Sequence, residues 1–168
     1  MDNAPQSTPD YYWFELPIRA PIPGFRDLPP SPHLTLVFIR QLLDVPAGER
    51  ALRRILYAAG HRHPVRQISA FETIIVGAGR ELMALHVVAT PKLVELQKSL
   101  RLFSDIRDLV VVDRTYPDFL PHITLGPARG VEASPIDRID IPVDRIRLMA
   151  RGQRVVDEYI FPEEPDDG

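Results

Sequence analysis

Apolar and polar residues alternate along much of this chain, and twice the alternation gives way to a helical period. Residues 11–18 are aromatic and extended, which predicts a first strand. Residues 19–32 hold Pro21, Pro23, Gly24, Pro29, Pro30 and Pro32, a density that forbids regular structure and makes a loop. Residues 33–40 follow a proline and are rich in β-formers, a second strand. From Pro46 onward, Leu52, Ile55, Leu56 and Ala59 share one helical face, and Gly60 is expected to stop that helix. Residues 67–76 and 82–89 predict strands joined by a turn through Gly77 and Gly79. Thr90 and Pro91 then open a second helix, with Thr90 as its cap and Leu93, Leu96, Leu100 and Phe103 as its buried stripe. Short strands at 109–112 and 120–126 and a hairpin of 145–150 with 154–161 around Gly152 complete the pattern. About eight strands and two helices without regular βαβ alternation define an α+β domain.

Residues 1–9 and 162–168 carry no apolar period and are expected to be mobile tails, which leaves 10–161 as one domain. A chain of 168 residues is long enough to bury a proper core. No run approaches the ~18 apolar residues that span a bilayer. The first residues show neither the basic start nor the apolar run of a secretory signal, so no membrane partner and a cytoplasmic location are expected.

Composition narrows the chemistry. The absence of cysteine removes disulfides, thiolate metal sites and a thiol nucleophile. A net charge of -3 excludes a protein that coats long duplex nucleic acid. A nucleic-acid partner would be a small nucleotide or an RNA terminus, met by a monomer through a local patch. Of the 20 basic residues only Lys92 and Lys98 are lysine. Arginine suits bidentate phosphate contacts, although a coding bias yields the same count.

Against this background two segments repeat one another: Pro32-His33-Leu34-Thr35-Leu36 and Pro121-His122-Ile123-Thr124-Leu125. They lie about half the chain apart and use two of only five histidines. Each falls on a predicted strand, where residues i and i+2 share a face. His33 and Thr35 therefore point one way, as do His122 and Thr124, while Leu34, Leu36, Ile123 and Leu125 point into a core. Two imidazoles suit phosphodiester chemistry, because one accepts a proton from the attacking oxygen while the other gives one to the departing oxygen. The threonine hydroxyls are donors for the non-bridging phosphate oxygens. The scheme asks for no metal and no cofactor.

These residues resemble the signature of the 2H phosphoesterase superfamily, whose bacterial members are called 2′-5′ RNA ligases or RNA 2′,3′-cyclic phosphodiesterases. That signature is two His-x-Thr motifs with an apolar fourth residue. His33-Leu-Thr-Leu-Val-Phe38 looks like the first, and Phe119-Leu-Pro-His-Ile-Thr-Leu125 like the second. The resemblance implies a bilobed fold with two antiparallel sheets around a central groove, each lobe giving one motif. It further implies hydrolysis of 2′,3′-cyclic phosphates to 2′-phosphates, with His122 activating water and His33 protonating the ribose oxygen. Two features depart from the pattern. The proline-rich loop stands where the family has a helix, and Pro127 stands where many members have a basic residue. Arg129 or Arg40 is expected to supply that charge, but plain alternation puts Arg40 on the face opposite His33 unless a bulge intervenes.

Other candidates divide between chemistry and packing. Tyr11, Trp13, Phe38, Tyr116 and Phe119 are candidates for stacking on a base, with Tyr116 and Phe119 favoured by their place before the second motif. His61-Arg62-His63 lacks a carboxylate or cysteine to complete a metal set and is expected to be a solvated turn. His86, between Leu85 and Val87, is expected to be structural, and Asp137, Asp140 and Asp144 a solvated edge. Three other activities remain open: cleavage of 2′-5′ or 3′-5′ linkages in small or cyclic oligonucleotides, ATP-independent ligation as the reverse reaction, and nucleotide binding without turnover.

Overall fold

The computed structural model describes residues 11–77, 79, 81–101 and 119–164, together with the backbone of 110–112. Its strands are β1 (Tyr12–Pro17), β2 (His33–Leu42), β3 (Gln67–Val76), β4 (Leu82–Val87), β5 (Val110–Val112), β6 (His122–Pro127), β7 (Pro135–Pro142), β8 (Arg145–Ala150) and β9 (Arg154–Ile160). Helix α1 (Val45–Arg62) follows β2, and α2 (Pro91–Arg101) follows β4. The expected tails, Phe103 and Tyr116 fall wholly or mostly outside the described residues.

Two sheets are implied by the resemblance, whereas the described strands form one, in the order β7-β3-β4-β6-β2-β1-β8-β9, with β5 alongside β2. Every pairing is antiparallel. The continuity depends on a narrow seam, since β2 and β6 share a single register pair, Leu34 with Ile123. On one side of that seam lie β7-β3-β4-β6 and on the other β2-β1-β8-β9 with β5, and each half brings one motif to its inner edge.

One face of the sheet is apolar and covered. Tyr12, Phe14, Leu16, Leu34, Ile39, Leu85, Ile123, Ile146 and Leu148 are wholly buried there, against Leu52 and Leu56 of α1 and Leu93, Leu96 and Leu100 of α2. Helix α1 lies against β8 and β9, and α2 against β2 and α1. Both helices are capped from the preceding turn. The Asp44 side chain accepts from the Ala47 N–H at 3.0 Å, and the Thr90 hydroxyl from the Leu93 N–H at 3.3 Å. Neither helix is long and apolar enough to cross a membrane.

Three expectations meet tertiary packing, and two give way to it. Gly60 does not stop α1, which continues to Arg62 and is capped at His63, so His61 and Arg62 sit in its last turn. The glycine serves closeness instead, because a Cβ there would overlap the ring of Tyr159 on β9. Strand β7 is absent from the expected pattern; it pairs with β3 at the sheet edge, with Ile141 in the core and Ile136 and Ile139 packed against it. It carries Asp137 and Asp140 on a largely exposed strand that proline opens and closes. The proline-rich segment 19–32 is a loop as expected, closed by the Ile18 N–H on the Pro32 carbonyl at 2.9 Å and anchored by buried Ile22.

Replacing Gly60 by Ala tests the close approach of α1 and β9. Overpacking of this kind costs ~1–3 kcal/mol, more than the ~1 kcal/mol that alanine gains in helix propensity. The midpoint of urea unfolding should therefore fall. A midpoint at or above the parent's would show that Tyr159 yields without cost.

Candidate active site

The face away from the helices carries the paired motifs. With Leu34 and Ile123 paired and turned into the core, the antiparallel register sets His33 opposite Thr124 and His122 opposite Thr35. All four side chains thus rise from the open face on adjacent strands. Directly opposed residues hold Cβ atoms ~4.5–5.5 Å apart and diagonal ones ~7–8 Å. The two imidazoles occupy the diagonal, a separation that admits one phosphate between them.

The two halves repeat each other in detail. The His33 Nδ1 lies 2.9 Å from the Ser31 carbonyl, and the His122 Nδ1 lies 2.8 Å from the Leu120 carbonyl, two residues upstream in each case. A carbonyl only accepts, so Nδ1 carries the hydrogen and Nε2 is the nitrogen left for chemistry. Ser31 reaches its position through a left-handed backbone, φ 53°. The prolines between match too, since Pro32 accepts from Ile18 N–H at 2.9 Å and Pro121 from Val87 N–H at 3.0 Å.

A bulge follows each motif at the same residue. In β2 the partners of Phe14 and Glu15 are Val37 and Thr35, which leaves Leu36 unpaired. In β6 the partners of Met83 and Ala84 are Gly126 and Thr124, which leaves Leu125 unpaired. The first bulge resolves the placement of Arg40. The extra residue reverses the alternation, so Phe38 and Arg40 are exposed on the same face as His33 and Thr35. Even so, Arg40 lies five positions beyond Thr35, roughly 16 Å along the strand. Exposed Arg129, in a left-handed turn at φ 48°, lies as many positions beyond Thr124 in the opposite direction. The fold therefore brings the four motif residues together and sets these two arginines apart, Arg40 far along β2 and Arg129 in an exposed turn beyond β6. Phe119 is half-buried and packs against the core, and Tyr116 lies outside the described residues.

Sequence reasoning missed a polar row that crosses the sheet. By register, Glu72, His86, His122, Thr35, Glu15, Arg147 and Glu158 lie side by side on β3, β4, β6, β2, β1, β8 and β9. Glu15 is only 3% exposed, and its Oε2 is 3.3 Å from the His33 Nδ1. Burial pushes its carboxyl above the ordinary 4.5, partly offset by His33 and Arg147. On the far flank His86 stands opposite His122, with its Nδ1 2.7 Å from Glu72 Oε1 and its ring 4.7 Å from that of Phe71. A buried carboxylate in the first strand was the one available signal, at Glu15 between Phe14 and Leu16. Beyond His33, Trp13 approaches the imidazole at 6.3 Å between centroids, and Tyr11 meets Trp13 at 5.9 Å and Phe38 at 5.4 Å.

This arrangement, one antiparallel sheet with helices on one face and His-x-Thr strands meeting at its centre, is a fold shared with solved structures that include E. coli LigT and a phosphoesterase. Among solved structures the chain is similar to E. coli LigT in complex with 3′-AMP. The two are 19% identical over 92% of this chain and 99% of that one, with a TM-score of 0.61. It is likewise similar to TT0787 of Thermus thermophilus, 18% identical over 90% and 97% of the two chains with a TM-score of 0.60. A third similar structure is described as a phosphoesterase, 18% identical over 92% and 100% of the chains with a TM-score of 0.58. No protein-family model matches the sequence, and no curated protein matches it. At these identities the likeness is one of fold.

The burial of Glu15 has a measurable consequence. Its carboxyl is raised in the folded state, so its contribution to stability is complete below about pH 4.5 and is lost as pH rises. At neutral pH the buried charge therefore costs stability. Glu15→Gln should unfold at a higher urea concentration than the parent at pH 7, with the difference vanishing near pH 4. Equal midpoints at both pH values would mean that His33 and Arg147 offset the burial completely.

Proposed function

We propose that this protein is a metal-independent phosphodiesterase that opens 2′,3′-cyclic phosphates on RNA ends or nucleotides to 2′-phosphates. The observation that carries this reading is the pair of matched imidazoles. Both are pinned through Nδ1, both leave Nε2 to the open face, and they stand diagonally across one strand pair. His122 serves as general base and His33 as general acid. The assignment follows from their neighbours: the Glu15 carboxylate beside His33 compensates charge when that ring holds both protons. Among the described residues His122 has no carboxylate at ion-pair distance.

In the reaction a water oxygen bonds to phosphorus and releases one proton to His122 Nε2. The bond from phosphorus to the ribose 3′-oxygen breaks, and that oxygen takes the Nε2 proton of His33. Thr35 and Thr124 donate to the non-bridging oxygens, whose charge grows in the transition state. The exposed rings of Tyr11 and Phe38, backed by buried Trp13, are a stacking surface for the base beside His33, and Tyr116 and Phe119 are further candidates for base contact. Arg40 and Arg129, set apart from the motif residues, meet phosphates farther along a bound chain rather than the scissile one. The structure of LigT with 3′-AMP supports a nucleotide ligand, since it shows this fold with a ribose phosphate bound.

The stacking surface and Arg40 also extend the open face beyond a single phosphate, which favours a second reading: cleavage of 2′-5′ or 3′-5′ linkages in small or cyclic oligonucleotides. The ratio of kcat/KM for cyclic dinucleotides and oligoadenylates to that for 2′,3′-cyclic nucleotides decides between them.

Purified protein should hydrolyse 2′,3′-cyclic nucleotides in EDTA, and His33→Ala or His122→Ala should each lower kcat at least ~10²-fold. Activity lost in EDTA and restored by a divalent cation would defeat the metal-free scheme. Tight nucleotide binding with no product would instead mark a binding module.

A further inference from the structure

His86 enters the sequence as an ordinary strand residue, yet it stands directly opposite His122 on the open face. Its surroundings do for it what the motif carbonyls do for the other two rings. Glu72 Oε1, 2.7 Å from Nδ1, fixes which nitrogen carries the hydrogen, and Phe71 packs against the ring. When the ring holds a single proton, that proton is the Nδ1–H committed to the carboxylate, and Nε2 is an acceptor. No partner for it occurs among the described residues. His122 has the same arrangement, with Nδ1–H committed to the Leu120 carbonyl. With one proton each, these two imidazoles on adjoining strands, ~4.5–5.5 Å apart at Cβ, present two acceptors to one small space.

The opposite half has no such partner. The residue that stands to His33 as His86 stands to His122 is Pro17, which has neither donor nor acceptor in its side chain. The asymmetry falls on the flank of the base. Water differs from every alcohol in having two O–H hydrogens, and two acceptors are what fix its orientation.

We infer that His86, held by Glu72, is a positioning residue that orients the attacking water, which gives one O–H to His122 Nε2 and the other to His86 Nε2. This rests on the hydrolytic reading and on His122 as its base. As the oxygen bonds to phosphorus, the proton facing His122 leaves and the proton facing His86 remains on the new phosphate oxygen, so His86 takes no net proton. An alcohol has one hydrogen, which His122 claims, and so draws nothing from His86. The site is thereby biased towards hydrolysis over transfer to a hydroxyl.

The test is a partition experiment. Wild-type protein and the variants His86→Ala and Glu72→Ala are given a 2′,3′-cyclic nucleotide in water containing methanol, and the phosphomonoester and methyl phosphodiester products are counted. The methyl ester share should rise about tenfold relative to acid in His86→Ala, and in the same direction but less in Glu72→Ala. A loss of both products in equal proportion, or an unchanged ratio, overturns the inference, because a structural role lowers both reactions together. Nitrogen NMR of the histidines provides a readout that does not need turnover. His86 should show the Nδ1–H form with unprotonated Nε2 at pH 8, and the Nε2–H form would overturn the inference. A protein inactive on every cyclic nucleotide but showing the expected tautomer would defeat the hydrolytic reading while leaving the arrangement of acceptors in place.

Discussion

The pairing of Leu34 with Ile123 is the constraint on which the site depends. Both side chains are wholly buried on the helix-covered face, each worth ~1.5–3 kcal/mol of apolar burial. A slip of one residue in either strand would expose that residue and turn its imidazole and hydroxyl beneath α1 and α2. Each polar group stranded there would add ~1–3 kcal/mol of unmet desolvation. The sum is a large part of the ~5–15 kcal/mol by which a domain is stable, so the register is fixed by apolar burial rather than by the polar groups it displays. The chemistry is positioned by residues that take no part in it.

On that frame the two halves are alike in what orients the rings and unlike in what surrounds them. Backbone carbonyls pin both motif histidines by the same route, and matching bulges at Leu36 and Leu125 shift the register beyond each. The flanks then diverge. A buried carboxylate adjoins His33, and a third imidazole adjoins His122. These neighbours give the site two unequal sides. Keeping Glu15 charged under cover opposes folding at neutral pH, a burden consistent with a residue retained for reactivity.

Much of this was legible in the sequence, and the limits are physical. The strands and helices that form the core declare themselves through period, and the motifs through their repetition. Whether His33 meets His122 is a matter of strand order, which no local pattern carries. Arg40 illustrates the point: alternation assigns it to the wrong face because a single unpaired residue, Leu36, shifts the parity of everything after it. Gly60 shows the converse, where a residue that ends helices in isolation is tolerated inside one because Tyr159 occupies the space a side chain would need. Strand β7 is hidden because its apolar residues, Ile136, Ile139 and Ile141, are spaced three and then two apart, which breaks strict alternation. The row from Glu72 to Glu158 is assembled from seven strands and leaves no trace in any one of them.

The edge that β7 forms has a consequence for the molecule in a crowded solution. An open sheet offers unpaired amides at its rim, and a second chain can dock there and extend the ladder indefinitely. Pro135 and Pro142 open and close this strand, so two positions along it lack the hydrogen needed to begin such a ladder. The domain can thus carry a broad, one-sided sheet with an open polar face and still discourage that margin from seeding fibrils.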